Sequence, residues 1–209
     1  MRQTISQMLA TQRRGTFLIF GPPKTGKTQS LASLFKLQLG GPVWYFDFDG
    51  GDSIVPFVRE AVKLGAQEGD IIRFSYIPVG GTKQTIHQFS DHTISRDIYH
   101  QFIKDFNTLD DLIDVQTGAW KANSQAPAVV VIDSFTSFQD VLLDFVLTQV
   151  GHELGAKGTD ARSDWGLQMG KIRKTVKALQ ALPCLSIVLA HEKVEMQTIV
   201  VANEKLGVG

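Results

Sequence analysis

The feature that most constrains this chain is the segment at residues 21–28, which reads Gly-Pro-Pro-Lys-Thr-Gly-Lys-Thr. It matches the phosphate-binding loop pattern G-x-x-x-x-G-K-[ST] at every specified position. The apolar run 16–20 before it predicts a buried strand, and residues 29–37 after it have the apolar spacing of a helix. A strand, a glycine-bounded loop and a helix direct backbone N–H groups at one point, which favours a bound polyphosphate.

Residue types within the loop predict how a nucleotide is held. Lys27 is placed to contact the β- and γ-phosphates, and Thr28 is placed to offer its hydroxyl to Mg²⁺. We expect the nucleotide to contact the whole loop and the residue after it, namely Gly21, Pro22, Pro23, Lys24, Thr25, Gly26, Lys27, Thr28 and Gln29.

The rest of the chain alternates apolar runs with amphipathic segments. Further strands are predicted at 43–48, 71–76, 128–132 and 184–189, with an edge strand at 194–201. Helices are predicted at 53–64, with Asp52 or Ser53 as N-cap, and at 94–115, 135–150 and 164–182. This alternation predicts an α/β fold with a mostly parallel β-sheet and helices on both faces.

We expect a single domain over residues 1–209. Residues 1–14 would form an N-terminal arm or short helix, and residues 77–127 would add a loop and a long helix to the core.

Composition excludes several classes of protein. Lys and Arg number 21, as do Asp and Glu, so no overall basic field indicates nucleic-acid binding. The single cysteine, Cys184, excludes an internal disulfide and lies in an apolar run, where a buried position is expected. Because the sequence has neither a membrane-length apolar run nor a secretory signal, a cytoplasmic protein is predicted.

Two acidic segments supply the predicted chemistry. Asp133 ends an apolar strand, as in a Walker B motif, and is predicted to hold Mg²⁺ near Thr28. Its other interpretation is a cap for the helix that begins at Phe135, a role that Ser134 could fill instead. Since Ser134 occupies the position where many ATPases have a catalytic Glu, the residue that activates water must come from elsewhere.

The preferred residue for activating water is Asp49, at the end of the strand that follows the phosphate loop. Asp47 faces the same side of that strand and remains an alternative, and Glu192 is a weaker one. His191 ends the last strand and is predicted to contact the γ-phosphate. Trp165, at the start of a helix, is expected to be a packing anchor.

The order of these parts, with Asp49 and His191 at strand ends and no Glu after Asp133, resembles the RecA-like P-loop ATPases over roughly residues 15–195. It is most similar to short phage-encoded ATPases of recombination and single-strand annealing. The resemblance implies Mg²⁺-dependent ATP hydrolysis, a role for Lys27, Asp49 and His191 in catalysis, and a location in the host cytoplasm.

The same resemblance implies partners. The family assembles head to tail, as a ring or filament with ATP at the subunit junction, and binds single-stranded DNA. Its DNA-binding loops correspond to residues 151–163 and 192–198, whose cations are Lys157, Arg162 and Lys193. A charge acting in trans on the γ-phosphate would come from Lys193, Lys205 or Arg173.

Two other classes share the phosphate loop. A small-molecule or nucleotide kinase usually needs an Arg-rich lid, and Arg96 is the only arginine between Arg73 and Arg162. A signalling-type ATPase that binds protein and not DNA agrees with the neutral net charge.

Overall fold

The computed structural model of the protein describes residues 15–37, 39–50, 52–76, 92–122, 125–149 and 161–192. The predicted N-terminal arm, the edge strand at 194–201 and the loops at 77–91 and 151–160 lie outside the described residues.

Strands and helices alternate along the described chain. The strands are β1 (Gly15–Gly21), β2 (Val43–Asp47), β3 (Ile71–Ser75), β4 (Val129–Asp133) and β5 (Leu185–His191). The helices are α1 (Lys27–Ser30), which continues as a 3₁₀ helix (Leu31–Leu37), then α2 (Val55–Lys63), α3 (His92–Asp111), α4 (Phe135–Gln149) and α5 (Ala161–Ala181).

The five strands form one parallel sheet in the order β1-β5-β4-β2-β3. In its register, Gly21 pairs with His191 and Asp47 pairs with Asp133. The carboxyl ends of four strands therefore meet at one edge, which is where ligands bind in open parallel sheets. This confirms the predicted α/β class, a P-loop NTPase fold.

Both faces of the central strands β2 and β4 are covered, because alternate strand residues point to opposite sides. The prediction of a buried strand at 16–20 is wrong for the described residues, since Phe17, Leu18 and Phe20 of the edge strand β1 are 58%, 62% and 71% exposed. Aromatic and aliphatic side chains, such as those of Phe46 and Ile132, pack against α3, α4 and α5. Tyr45 and Val131 point the other way and pack against α2 and the 3₁₀ helix. The predicted arrangement of helices on both faces is thus correct.

Helix boundaries differ from the sequence predictions. The helix after the phosphate loop begins at Lys27, and most of its length is 3₁₀. The N-cap of α2 is Ile54, with no side-chain cap, so the expected capping by Asp52 or Ser53 is wrong. The predicted extension of α3 to residue 115 is also wrong: the helix ends at Asp111.

The end of α3 has a local cause. The carboxylate of Asp114 accepts hydrogen bonds from the backbone N–H groups of Gln116 and Thr117, both at 2.9 Å. These bonds stabilise a turn that competes with further helix, as Asp side chains commonly do. Val115, which extended the apolar pattern in the sequence, is 96% exposed.

Cys184 is buried, as expected of a small apolar residue. Burial raises the pKa of its thiol to about 12, so it is not a reactive thiolate.

Among the helices of the described ranges, none is long and apolar enough to cross a membrane.

Candidate nucleotide-binding site

The phosphate loop joins β1 to α1 and forms one wall of a cleft. Gly26, the N-cap of α1, has φ 84°, a left-handed conformation that glycine adopts without strain. The cleft has a volume of about 480 Å³. It is lined by Pro23, Lys24, Thr25, Gly26, Lys27, Thr28, Gln29, Asp49, Ser53, Pro56 and His191.

Most of the predicted loop residues thus line one cleft. Gly21 and Pro22 do not line it but bind Lys27 through their carbonyl groups. Sequence reasoning did not assign Ser53 or Pro56 to the site, and no motif marks them. The Ser53 hydroxyl oxygen is buried and has no hydrogen-bond partner among the described residues.

The Lys27 ammonium group lies folded against its own loop. Its Nζ donates hydrogen bonds to the carbonyl oxygens of Gly21 at 3.0 Å and Pro22 at 2.8 Å. It also lies 3.3 Å from Nδ1 of His191. The cation is therefore held at the cleft by neutral acceptors, which anionic phosphate oxygens can replace as stronger partners.

Asp133 is held by two hydroxyl groups. The Thr28 hydroxyl donates to its Oδ2 at 2.7 Å, and the Tyr45 phenol donates to the same oxygen. Burial raises the pKa of Asp133, as do the charges of Asp49 and Asp47, and the hydrogen bonds from Tyr45 and Thr28 only partly offset this.

The donor set of Thr28 and Asp133 fits Mg²⁺. A hydroxyl and a carboxylate are hard oxygen ligands, and a divalent cation would offset the cost of a carboxylate that is 1% exposed. The alternative role of Asp133 as a helix cap is filled by its neighbour. The Ser134 hydroxyl accepts the N–H of Ser137 at 3.2 Å, as an N-cap does.

Asp47 is a structural carboxylate. It is completely buried, and its Oδ1 accepts the N–H groups of Asp49 and Gly50, both at 3.1 Å. Its Oδ2 accepts Nε of Arg73 at 2.9 Å. Both oxygens are therefore used to shape the turn after β2, and Asp47 does not line the cleft.

Asp49 does line the cleft and accepts three side-chain hydrogen bonds. Its Oδ1 accepts the hydroxyls of Ser134 and Ser137, both at 2.9 Å, and its Oδ2 lies 2.8 Å from Nε2 of His191. Burial acts to raise the pKa of Asp49. The bonds from His191, Ser137 and Ser134 outweigh burial and lower the pKa below its usual range.

Ser137 was missed by sequence reasoning. The available signal was its position three residues after Ser134 at a helix start, a spacing that places both hydroxyls on one side.

His191 joins Asp49 to Lys27. A neutral ring that donates from Nε2 to Asp49 and accepts at Nδ1 from Lys27 satisfies both contacts. The backbone of His191 is also fixed, since its N–H donates to the Thr136 hydroxyl at 2.9 Å and its carbonyl accepts from that hydroxyl at 3.3 Å. Glu192, the weaker candidate for activating water, is exposed and does not line the cleft.

Asp49, Asp133 and His191 could also converge on a metal ion, because one ligand atom from each lies within 4.8 Å of the others. Both ring nitrogens of His191 already have partners, and one of them is a cation. Asp133 and Thr28 are therefore the better ligands for a hard cation.

Several other predicted residues lie outside the cleft. Arg96 pairs with Asp97 at 3.5 Å on α3 and does not line the cleft. Trp165 is 62% exposed on α5, which contradicts its expected role as a packing anchor. Arg173 is exposed on the same helix, while Lys157, Lys193 and Lys205 lie outside the described residues.

A family model described as an AAA domain matches residues 13–200, which include every residue of the cleft. No curated protein matches the chain.

Proposed function

Since the chain belongs to the AAA domain family, whose members are P-loop ATPases, we propose that it hydrolyses ATP with Mg²⁺ and acts on single-stranded DNA in recombination or annealing. One observation carries the hydrolytic part of the proposal. A phosphate-loop lysine, a threonine bonded to a buried carboxylate, and a second, separately held carboxylate all line one cleft.

Binding of ATP would rearrange Lys27 first. Its ammonium would exchange the carbonyls of Gly21 and Pro22 for β- and γ-phosphate oxygens, which are charged acceptors. Thr28 and Asp133 would hold Mg²⁺, which when bound neutralises charge on the phosphates. The N-terminus of α1 adds backbone N–H groups directed at the same anion.

Asp49 would orient the attacking water. Its lowered pKa keeps it ionised at neutral pH, so it offers a fixed acceptor for a water proton. The bonds from Ser134, Ser137 and His191 hold the carboxylate in one orientation, which positions the water without further reorganisation. When Lys27 moves to the phosphates, Nδ1 of His191 loses its partner. The ring would then be free to contact the γ-phosphate, so its position would depend on whether that phosphate is present.

The DNA part of the proposal is supported by the resemblance to recombination ATPases and by the surface of α5. Trp165, Arg173, Lys174 and Lys177 are exposed on this helix. An exposed indole can stack on bases, and cations neutralise phosphates. Because the net charge of the chain is zero, affinity would depend on repetition of this surface in a head-to-tail assembly.

The test is the ATPase rate with and without single-stranded DNA, at low and high salt. Stimulation that weakens as salt rises is expected, and the Lys27→Ala variant should lose roughly 10²-fold or more of the turnover in both conditions. A DNA-independent rate would contradict the DNA role while leaving ATP hydrolysis intact. Phosphate transfer to a small acceptor, with no release to water, would contradict hydrolysis and favour a kinase.

Assembly is tested in the same material. If ATP lies at a subunit junction, the specific activity should rise with protein concentration. The oligomeric state is measured over the same range of protein concentrations. If the protein assembles over that range and its specific activity stays constant, an ATP site shared between subunits would be contradicted.

A further inference from the structure

Tyr45 carries a hydrogen bond that the phosphate-loop motifs do not account for. It lies in the middle of β2 and is completely buried, with its ring stacked on Phe57 of α2 at a centroid distance of 5.7 Å. Its phenol donates to Oδ2 of Asp133 on the neighbouring strand β4. A buried hydroxyl needs a partner, but this one is a carboxylate of the candidate metal site.

The two carboxylate oxygens of Asp133 have different hydrogen-bond partners. Oδ2 accepts both the Tyr45 phenol and the Thr28 hydroxyl, whereas Oδ1 accepts no hydrogen bond from the described residues. The Thr28 hydroxyl can donate its proton to Asp133 and still coordinate a cation through a lone pair. Oδ1 is thus the oxygen of Asp133 left available to a cation or to its water shell.

We propose that Tyr45 is a positioning residue for the divalent cation, because its phenol fixes Asp133 in the orientation that leaves Oδ1 for the metal. This inference rests on the proposed role of Asp133 in holding Mg²⁺. Partners that orient a metal ligand typically change metal affinity by about 10–100-fold when they are removed.

The same hydrogen bond predicts what its loss would do. Without the phenol, Oδ2 of Asp133 keeps only the Thr28 hydroxyl, and the carboxylate is less firmly oriented. Loss of the phenol should therefore weaken cation binding and leave metal-free nucleotide binding unchanged.

The test compares Tyr45→Phe with Tyr76→Phe. Both tyrosines are buried, and the Tyr76 phenol also donates to a carboxylate, Oδ2 of Asp105 at 3.1 Å, away from the cleft. Mn²⁺ binding to the nucleotide complex is measured by electron paramagnetic resonance, and nucleotide binding is measured in EDTA. Tyr45→Phe should bind Mn²⁺ roughly 10–100-fold more weakly with unchanged binding in EDTA, and Tyr76→Phe should match the wild type.

If the Tyr45→Phe variant bound Mn²⁺ with an affinity within about twofold of the wild type, the inference about Tyr45 would be overturned. The proposed function would stand, because the wild type would still bind Mn²⁺. A wild-type protein whose nucleotide complex binds no Mn²⁺ would overturn the proposed function and this inference together.

A second measurement does not depend on the folding of Tyr45→Phe. The chain has three tyrosines, so a variant with Tyr76→Phe and Tyr99→Phe leaves Tyr45 as the only one. Addition of Mg²⁺ to its nucleotide complex should shift the Cζ carbon resonance of labelled Tyr45, because the phenol bonds to a metal ligand. An unchanged resonance, with Mg²⁺ bound, would overturn the inference.

Discussion

Nε2 of His191 lies 2.8 Å from Oδ2 of Asp49, although 142 residues separate the two along the chain. The bond joins the end of β5 to the turn after β2, across the end of β4. Since Nδ1 of the same ring faces Lys27, a change in the position of the Lys27 ammonium can be passed to Asp49 through one side chain.

Substitution of His191 tests this connection. An amide at the end of Gln reaches approximately the position of Nε2, while the shorter Asn reaches only that of Nδ1. His191→Gln should therefore retain more ATP turnover than His191→Asn, and His191→Ala should lose roughly 10²-fold. Nucleotide affinity should change little in all three variants, and exposed His100 provides a control substitution. Equal turnover in the Gln and Asn variants would argue against the contact with Asp49.

Ser134 and Ser137 allow positioning of Asp49 to be separated from helix capping. Both hydroxyls donate to Oδ1 of Asp49, but only Ser134 also accepts a backbone N–H at the start of α4. Ser134→Ala should lower both kcat and the free energy of unfolding, the latter by about 1 kcal/mol. Ser137→Ala should lower kcat with an unchanged unfolding midpoint, and Ser137→Thr should restore turnover. A Ser137→Ala variant with wild-type kcat would show that this hydroxyl does not position Asp49.

The pH dependence of folding follows from the lowered pKa of Asp49. A carboxyl whose pKa is lower in the folded state stabilises the fold at pH values above its unfolded pKa, which is about 3.9. That stabilisation is lost as the pH falls through the lowered folded pKa. The difference in melting temperature between the wild type and Asp49→Asn should thus be constant near neutral pH and shrink below about pH 4.

The same bonds predict the pH dependence of turnover. Ser137→Ala removes a donor that favours the ionised carboxylate, so it should raise the pKa of Asp49. The acid limb of kcat should then move to higher pH relative to the wild type. Superimposable acid limbs in the two proteins would show that the titration of Asp49 does not limit the rate.

The alternation of strands and helices along the chain could be predicted from the sequence, as could the positions of Lys27, Thr28, Asp49, Asp133 and His191 at one edge of the sheet. Apolar periodicity identifies strands, and the carboxyl ends of parallel strands meet. The partners of these residues could not be predicted, because they depend on which side chains meet across the sheet. In the sequence, nothing distinguishes Tyr45 from any other aromatic residue of a strand, so its hydrogen bond to Asp133 could not be predicted. Likewise, the end of α3 depends on a local bond of Asp114 that competes with apolar spacing.

The sequence favours Asp49 over Asp47 without excluding Asp47, and the environments of the two carboxylates give opposite predictions. Asp47 is buried and bonded to Arg73 and two backbone N–H groups, so Asp47→Ala should lower the free energy of unfolding by about 2 kcal/mol or more. The Asp49→Asn variant should remain folded at neutral pH and should still bind ATP. It should not hydrolyse ATP, because the amide cannot act as the charged acceptor for a water proton. Chemical denaturation and single-turnover hydrolysis, measured on both variants, give the comparison. If Asp49→Asn hydrolysed ATP at the wild-type rate, the water-activating residue would have to be sought outside the turn after β2.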